Sequence, residues 1–119
     1  MRAIRGAISS ENTQADILEN TRNLLKEIMR QNALNIENIV SITFTCTKDL
    51  NAAYPAAAAR ELGITRAALM CVQEMDVAGS MAGVIRLCVF AEMEAAQADV
   101  VHVYLKEAAK LRPDLVEGS

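Results

Sequence analysis

The chain has 119 residues, with 12 basic and 15 acidic side chains and a net charge of −3. This length predicts a single domain over residues 1–119, and the apolar share of 52% supplies a core and excludes global disorder. Aromatic residues make up only 3% of the chain, which excludes a site that stacks the bases of single-stranded nucleic acid. The net negative charge also provides no positive potential over the whole protein that would attract nucleic-acid phosphates.

The cysteines indicate a reducing compartment. Cys46, Cys71 and Cys88 lie in apolar stretches, and an odd number at wide spacing fits neither a disulfide framework nor a metal-ligand pattern. Because the chain has one histidine, a zinc site would lack its usual ligands. We expect reduced thiols, no metal and a cytoplasmic protein, with no signal peptide and no apolar stretch of the ~20 residues that span a membrane.

The first half of the chain contains the clearest elements. Residues 2–8 predict a short strand that carries two arginines. Thr13 and Asp16 have the spacing of a capping box, and apolar residues recur behind them at helical spacing, which predicts a helix over residues 13–31. Strict alternation over residues 40–46 predicts a strand with one buried face. The side chains assigned to that face are Val40, Ile42, Phe44 and Cys46.

The second half is richer in strands. Pro55 suits the first turn of a short helix, and Gly63 suits its end. The remaining predicted elements are strands over residues 67–72, 84–93 and 100–105, with a turn over residues 76–83. The tail from residue 111 is polar, and we expect residues 113–119 to be mobile.

This order of elements predicts an α+β fold, a mixed five-stranded sheet with one long helix and one or two short helices packed on one face. A single long helix leaves much of the sheet uncovered. We therefore expect self-association, most simply in a closed symmetric ring.

Two arginines interrupt predicted strands. Arg86 lies within an otherwise apolar run, and a buried guanidinium needs an anionic partner because it cannot lose its charge. The simpler interpretation is a structural ion pair with Glu74, Glu92 or Glu94, and the functional one is a ligand carboxylate or a developing oxyanion. Arg5, in another strand, favours the second interpretation, although a solvent-facing arginine is also compatible with its position.

Four other side chains are weaker candidates. Glu74 directly follows a strand, where it is either a site carboxylate or a loop cap. Tyr104 can donate to a carboxylate or simply pack, and Cys71 is more often a small core residue than a nucleophile. We interpret His102 as structural. This set contains no nucleophile with its base, so an enzyme built on it would act by positioning and electrostatics.

Seven short segments in these positions resemble a known family. In chain order they read IRGA at 4–7, YPA at 54–56, REL at 60–62, CVQEMDV at 71–77, IR at 85–86, HVYL at 102–105 and LRPDL at 111–115. Together they run over essentially the whole chain, and they resemble the small monofunctional chorismate mutases of the trimeric, mixed α/β class. The resemblance implies a homotrimer that forms a pseudo α/β barrel, with active sites between neighbouring subunits.

The resemblance also implies a reaction. Members of this family rearrange chorismate to prephenate on the route to phenylalanine and tyrosine, without a cofactor or a covalent intermediate. By resemblance, Arg86 would donate to the ether oxygen and to a carboxylate of the substrate. Glu74, with Cys71, would bind the ring hydroxyl.

The remaining implied contacts bind substrate. By resemblance, Arg5 and Tyr104 would hold the side-chain carboxylate. The residues implied to line the pocket or to lie near the ring carboxylate are Tyr54, Ala56, Arg60, Leu111 and Arg112. The family commonly has lysine where this chain has Ala57, which removes one cation near that carboxylate.

The alternative to an enzyme is a non-catalytic trimeric protein that binds small anions on the same scaffold. Glu74 discriminates between the two, because a carboxylate in a simple anion pocket would repel the ligand. An imine-hydrolysing trimer of related shape would need a means of positioning water, and the sequence offers no particular sign of one.

Overall fold

The structure is a computed structural model that describes residues 1–112, so the predicted mobile tail at 113–119 lies outside the described residues. Its regular elements, in chain order, are β1 Arg2–Ser9, α1 Gln14–Gln31, β2 Ile39–Cys46, α2 Ala56–Glu61, β3 Ala68–Gln73, β4 Val84–Ala91 and β5 Val103–Leu105. Short 3₁₀ turns occur at Ile36–Asn38, Gln97–Asp99 and Lys106–Lys110. Among the described residues, no helix is both long and apolar enough to cross a bilayer.

The five strands form one mixed sheet in the order β3-β2-β4-β1-β5. The central strand β4 is antiparallel to both β1 and β2, and the two edge strands are parallel to their neighbours. The predicted α+β class with a mixed five-stranded sheet is therefore confirmed. The strand order itself was not predicted.

Helix α1 begins at the predicted cap. The Thr13 side chain accepts a hydrogen bond from the Asp16 backbone N–H at 3.1 Å, while the Asp16 carboxylate accepts from the backbone N–H of Glu11 at 2.9 Å. The carboxylate thus reaches two residues further back than in a standard capping box. Its location in the first turn also suits the positive end of the helix dipole.

The core lies between α1 and one face of the sheet, here called the helix face. Ile17, Leu24 and Ile28 of α1 pack with Ile4 and Ile8 of β1 in one buried cluster. The burial of this apolar stripe is what holds the helix on the sheet. The opposite face of the sheet, called the open face, carries exposed apolar side chains. They include Met70, Val72 and Phe90, with 61%, 43% and 41% of their surface exposed.

One residue assigned to the buried face of β2 is exposed instead. Val40 is 40% exposed, whereas Ile39 is only 6% exposed. The cause is an irregularity in the β2–β4 pairing between Ile39 and Ser41, which adds a residue to one strand and shifts the alternation. The prediction for Val40 was therefore wrong, while Ile42 and Phe44 are fully buried as expected.

The last strand is shorter than predicted. It spans Val103–Leu105, because the side-chain amide of Asn32 accepts from the Val101 N–H and donates to the Val101 carbonyl, both at 2.9 Å. These bonds satisfy the backbone of Val101 without a strand partner. Strand β4 likewise stops before Glu92, whose N–H bonds to the Asn38 carbonyl at 2.8 Å.

The core packing gives a first prediction. Leu24 is fully buried between α1 and the sheet, so Leu24→Ala should lower the free energy of unfolding by about 2–5 kcal/mol through lost burial and a residual cavity. Urea unfolding at a fixed protein concentration measures this change. The matched control is Glu19→Ala on the exposed side of the same helix, which should stay within about 0.5 kcal/mol of wild type. Equal effects for the two variants would contradict the assignment of the core.

Candidate active site

The register of the sheet places four polar or small side chains in one row across the open face. Thr45 of β2 pairs with Arg86 of β4, Arg86 pairs with Ala7 of β1, and Ala7 pairs with Tyr104 of β5. Directly paired residues share a face of a sheet, so these side chains all project to the side away from α1. Arg86 therefore lies near the centre of the open face.

Glu74 is the carboxylate beside Arg86. The Glu74 Oε2 atom lies 3.9 Å from the Arg86 Nε atom, and the same oxygen accepts a hydrogen bond from the Thr45 hydroxyl. The Glu74 side chain is 28% exposed and the Arg86 side chain 45% exposed. Of the three partners considered for Arg86, the structure selects Glu74. The guanidinium nevertheless remains accessible to a ligand.

Arg5 lies on the same face, two residues before Ala7 and opposite Cys88. Its side chain is exposed, and its backbone N–H donates to the Nδ1 atom of His102 at 2.9 Å. Burial, with the charges of Arg5 and Arg112, lowers the pKa of His102. A neutral ring that accepts a backbone hydrogen bond fits the structural role expected for His102.

Tyr104 and Leu111 belong to a small apolar cluster on the open face. Tyr104 packs with Ala7, Val84 and Ala108, and Leu111 covers the edge of this group. Leu111 also lines a cleft of about 760 Å³ together with Glu74 and Arg86. The cleft has the size of a small-molecule site. One set of candidates, called the open-face half, thus comprises Arg5, Glu74, Arg86, Tyr104 and Leu111.

The remaining candidates surround a second cleft, of about 650 Å³, on the other side of the sheet. Tyr54, Arg60 and Cys71 line it, next to the start of α2 and the end of β3. Cys71 pairs with Phe44, whose side chain is buried in the core under α1, so the thiol points to the helix face. We call these three residues the helix-face half.

Two of the candidates lie at the margins of these halves. Ala56 is 5% exposed and packs in the core at the first residue of α2, beneath the cleft that Tyr54 lines. Arg112, the last described residue, is half-buried and lies close enough for its charge to act on His102. The sheet separates Cys71 from Arg86, because their side chains project to opposite faces.

All three cysteines are thiols, and Cys46 and Cys71 line the second cleft, whereas Cys88 lies on the open face. Burial, together with the nearby Cys71 and Asp49, raises the pKa of Cys46 to about 11, and burial raises the pKa of Cys88. Cys46 and Cys88 are therefore protonated and weak nucleophiles at neutral pH. Among residues 1–112, no group of three or more His, Cys, Asp or Glu side chains could hold a metal ion.

Sequence reasoning missed two residues, one that bonds to a residue of the first cleft and one that lines the second. Thr45 was not selected as a candidate, although it pairs with Arg86 and its hydroxyl bonds to Glu74. Lys48 was not selected as a candidate, yet it lines the same cleft as Arg60 and Ala57, with its Nζ atom 3.0 Å from the Asp76 carboxylate. That exposed ion pair is weak, so Lys48 can exchange it for another anion.

Comparisons with known proteins identify the family of the chain. The family model for chorismate mutase type I matches residues 1–115. The chain is 42% identical over 117 residues to chorismate mutase AroH of Thermus thermophilus, covering 97% of this chain and 96% of the relative. It is 39% identical over 117 residues to chorismate mutase AroH of Bacillus subtilis, covering 97% and 92% of the two chains.

A solved structure extends the likeness to three dimensions. The chorismate mutase from Clostridium thermocellum superposes with a TM-score of 0.91 at 45% identity, covering 92% of this chain and 99% of the other. Both the family model and these relatives span nearly the full length, which confirms the resemblance found in the sequence. The chain therefore belongs to the chorismate mutase type I family.

Proposed function

We propose that the protein is a chorismate mutase, which rearranges chorismate to prephenate. Membership of the family supports this activity. The observation that carries it is the position of Arg86, an accessible cation near the centre of the open face whose Nε atom lies 3.9 Å from the Glu74 carboxylate. The arrangement suits a reaction in which negative charge develops on one substrate oxygen.

The reaction needs no group from the protein to form a bond. Within one molecule of chorismate, the bond between ring carbon and ether oxygen breaks while a carbon–carbon bond forms, so all atoms are retained. The ether oxygen gains negative charge in the transition state, and an arginine that cannot be deprotonated stabilises it. No cofactor is required, and catalysis rests on positioning and electrostatics.

The other members of the open-face half would bind the dianionic substrate. We assign Arg5 and Tyr104 to the side-chain carboxylate, because both project from the same face as Arg86. Glu74 would accept a hydrogen bond from the ring hydroxyl. This role also argues against a simple anion-binding protein, since a carboxylate in the pocket repels an anion unless it meets a donor.

The helix-face half would bind the opposite end of the substrate. Arg60, assisted by Lys48, is proposed to lie near the ring carboxylate. Arg112, whose charge acts on His102, is proposed to lie near the same carboxylate. Cys71 would share the ring hydroxyl with Glu74. Tyr54 and Leu111 would line the pocket, and the buried Ala56 would support it by fixing the first turn of α2.

The separation of the two halves supports a homotrimer with shared active sites. Cys71 and Arg86 project to opposite faces of one sheet, so a single chain cannot bring them to one ligand. The open-face half of one subunit would instead meet the helix-face half of the next. An interface between two different surfaces is head-to-tail, and we propose that its rotation closes a ring of three subunits. The exposed Met70 and Phe90 supply apolar area for this interface.

We also propose that the enzyme works in the cytoplasm. The three cysteines support this location, because all are thiols rather than disulfides.

The activity is tested by following the loss of chorismate by absorbance with purified protein. Wild type should produce prephenate, while replacement of Arg86 by citrulline, which keeps the shape and removes the charge, should lower kcat about 10²–10³-fold. KM should change much less, because Arg5 and Tyr104 share ground-state binding. A folded citrulline variant with normal turnover would make Arg86 a structural ion-pair residue. Wild-type protein without turnover would refute the proposed activity.

Sharing of the active site between subunits is tested by mixing two inactive variants. Arg86→Gln disables the open-face half, and Arg60→Glu disables the helix-face half by repelling the substrate. In random trimers formed by co-expression, about a quarter of the sites would combine two intact halves, so activity should recover to about that fraction of wild type. Each variant expressed separately is the control. Activity that stays at the level of the separate variants would contradict a shared site.

A further inference from the structure

The hydroxyl of Thr45 contacts the one carboxylate of the open-face half. It donates a hydrogen bond to Glu74 Oε2, the oxygen that also faces the Arg86 Nε atom at 3.9 Å. We propose that Thr45 is a positioning residue, whose hydroxyl holds the Glu74 carboxylate in the orientation that receives the substrate hydroxyl and keeps it apart from Arg86. This inference rests on the proposed function and extends it to a residue beyond the candidate set.

The backbone around Glu74 is already fixed by the same strand. Glu74 follows the last residue of β3, and its N–H donates to the Cys46 carbonyl at 2.9 Å. Thr45, the residue before Cys46, then bonds the carboxylate of Glu74. Two consecutive residues of β2 therefore hold both ends of Glu74. The side chain, which has several rotatable bonds, is restricted to one orientation by the second contact.

The distance between Glu74 and Arg86 shows why such a contact matters. At 3.9 Å the pair attracts electrostatically, but it is too long for a hydrogen bond. If the Glu74 side chain could rotate freely, its carboxylate would form a bidentate salt bridge with the Arg86 guanidinium, which is the geometry these groups prefer. That collapse would occupy donors that the proposed reaction requires at the ether oxygen. The Thr45 hydroxyl opposes it by engaging Oε2.

The type of side chain suits this task. Threonine is β-branched, so its rotation about χ1 is restricted and the hydroxyl keeps its direction. The bond uses Oε2, which leaves Oε1 to accept the substrate hydroxyl. Because Glu74 is 28% exposed, loss of the Thr45 hydroxyl does not leave a buried unpaired carboxylate, and stability should change little. Effects on activity and on stability are therefore separable at this position.

The first test compares substitutions on one strand. Thr45→Val keeps the shape and removes the hydroxyl, and we expect about a tenfold or larger fall in kcat/KM, expressed mainly in kcat. Thr45→Ser restores the donor and should recover activity to within about threefold of wild type. The matched control is Thr43→Val, two residues away on the same face, which should stay within about twofold. Wild-type kinetics for Thr45→Val would overturn the proposal.

A second test asks whether Thr45 acts through Glu74. In a Glu74→Ala background, Thr45→Val should reduce kcat/KM by less than about twofold further, because the side chain that Thr45 positions is gone. A full additional loss in that background would show a merely structural role for Thr45 and would overturn the proposal.

A crystal structure of the Thr45→Val variant gives a readout that does not depend on activity. We expect the Glu74 carboxylate to move toward Arg86, and an unmoved carboxylate would overturn the proposal. Wild-type turnover is measured in the same series. Its absence would refute the proposed function, whereas normal wild-type turnover with an insensitive Thr45→Val variant would refute only the role of Thr45.

Discussion

The alternation of side chains along the strands is the constraint on which the proposed site depends. Every second residue of β1 and β2 packs under α1, and the residues between them project to the open face. Arg86 and Thr45 therefore lie on one side of the sheet, and Cys71 lies on the other. Rotation of a side chain cannot bring it to the other face of the sheet. One chain would therefore carry two incomplete halves of the proposed site.

Assembly would also change the electrostatics of the open-face half. In the single chain the Arg86 side chain is 45% exposed, and water weakens its attraction to Glu74. A neighbouring subunit laid over this face would exclude water and lower the effective dielectric constant around the guanidinium. The same burial that joins the subunits would then strengthen the charge that the reaction uses. Both subunit assembly and catalysis would therefore depend on the open face of the sheet.

Much of the fold could be predicted from the sequence, because burial on one face leaves a clear period. The cap at Thr13 and the stripe along α1 are local signals, and they located the helix to within a residue. Val40 was misassigned because an irregular pairing between β2 and β4 depends on the partner strand. The shortened β5 depends on Asn32, a residue 69 positions away from Val101. Such long-range contacts leave no local pattern.

The sequence singled out candidate residues but did not indicate that they divide between the two faces of the sheet. Arg86 was selected as a charged residue within an apolar strand and Glu74 as a carboxylate directly after a strand, and the structure places the two as an ion pair. The division into two faces requires the strand order, in which β4 lies between β1 and β2, and this order was not inferred. Thr45 and Lys48 escaped notice because a threonine in a strand and a lysine in a loop are ordinary residues in isolation.

The central claim is that the two halves meet across a subunit boundary on one ligand. The most direct measurement is a crystal structure of the full-length protein with bound prephenate. We predict a homotrimer in which each ligand contacts Arg86 and Glu74 of one subunit and Arg60 and Cys71 of the next. A ligand whose polar contacts all come from a single chain, or an open face left in solvent, would contradict the account.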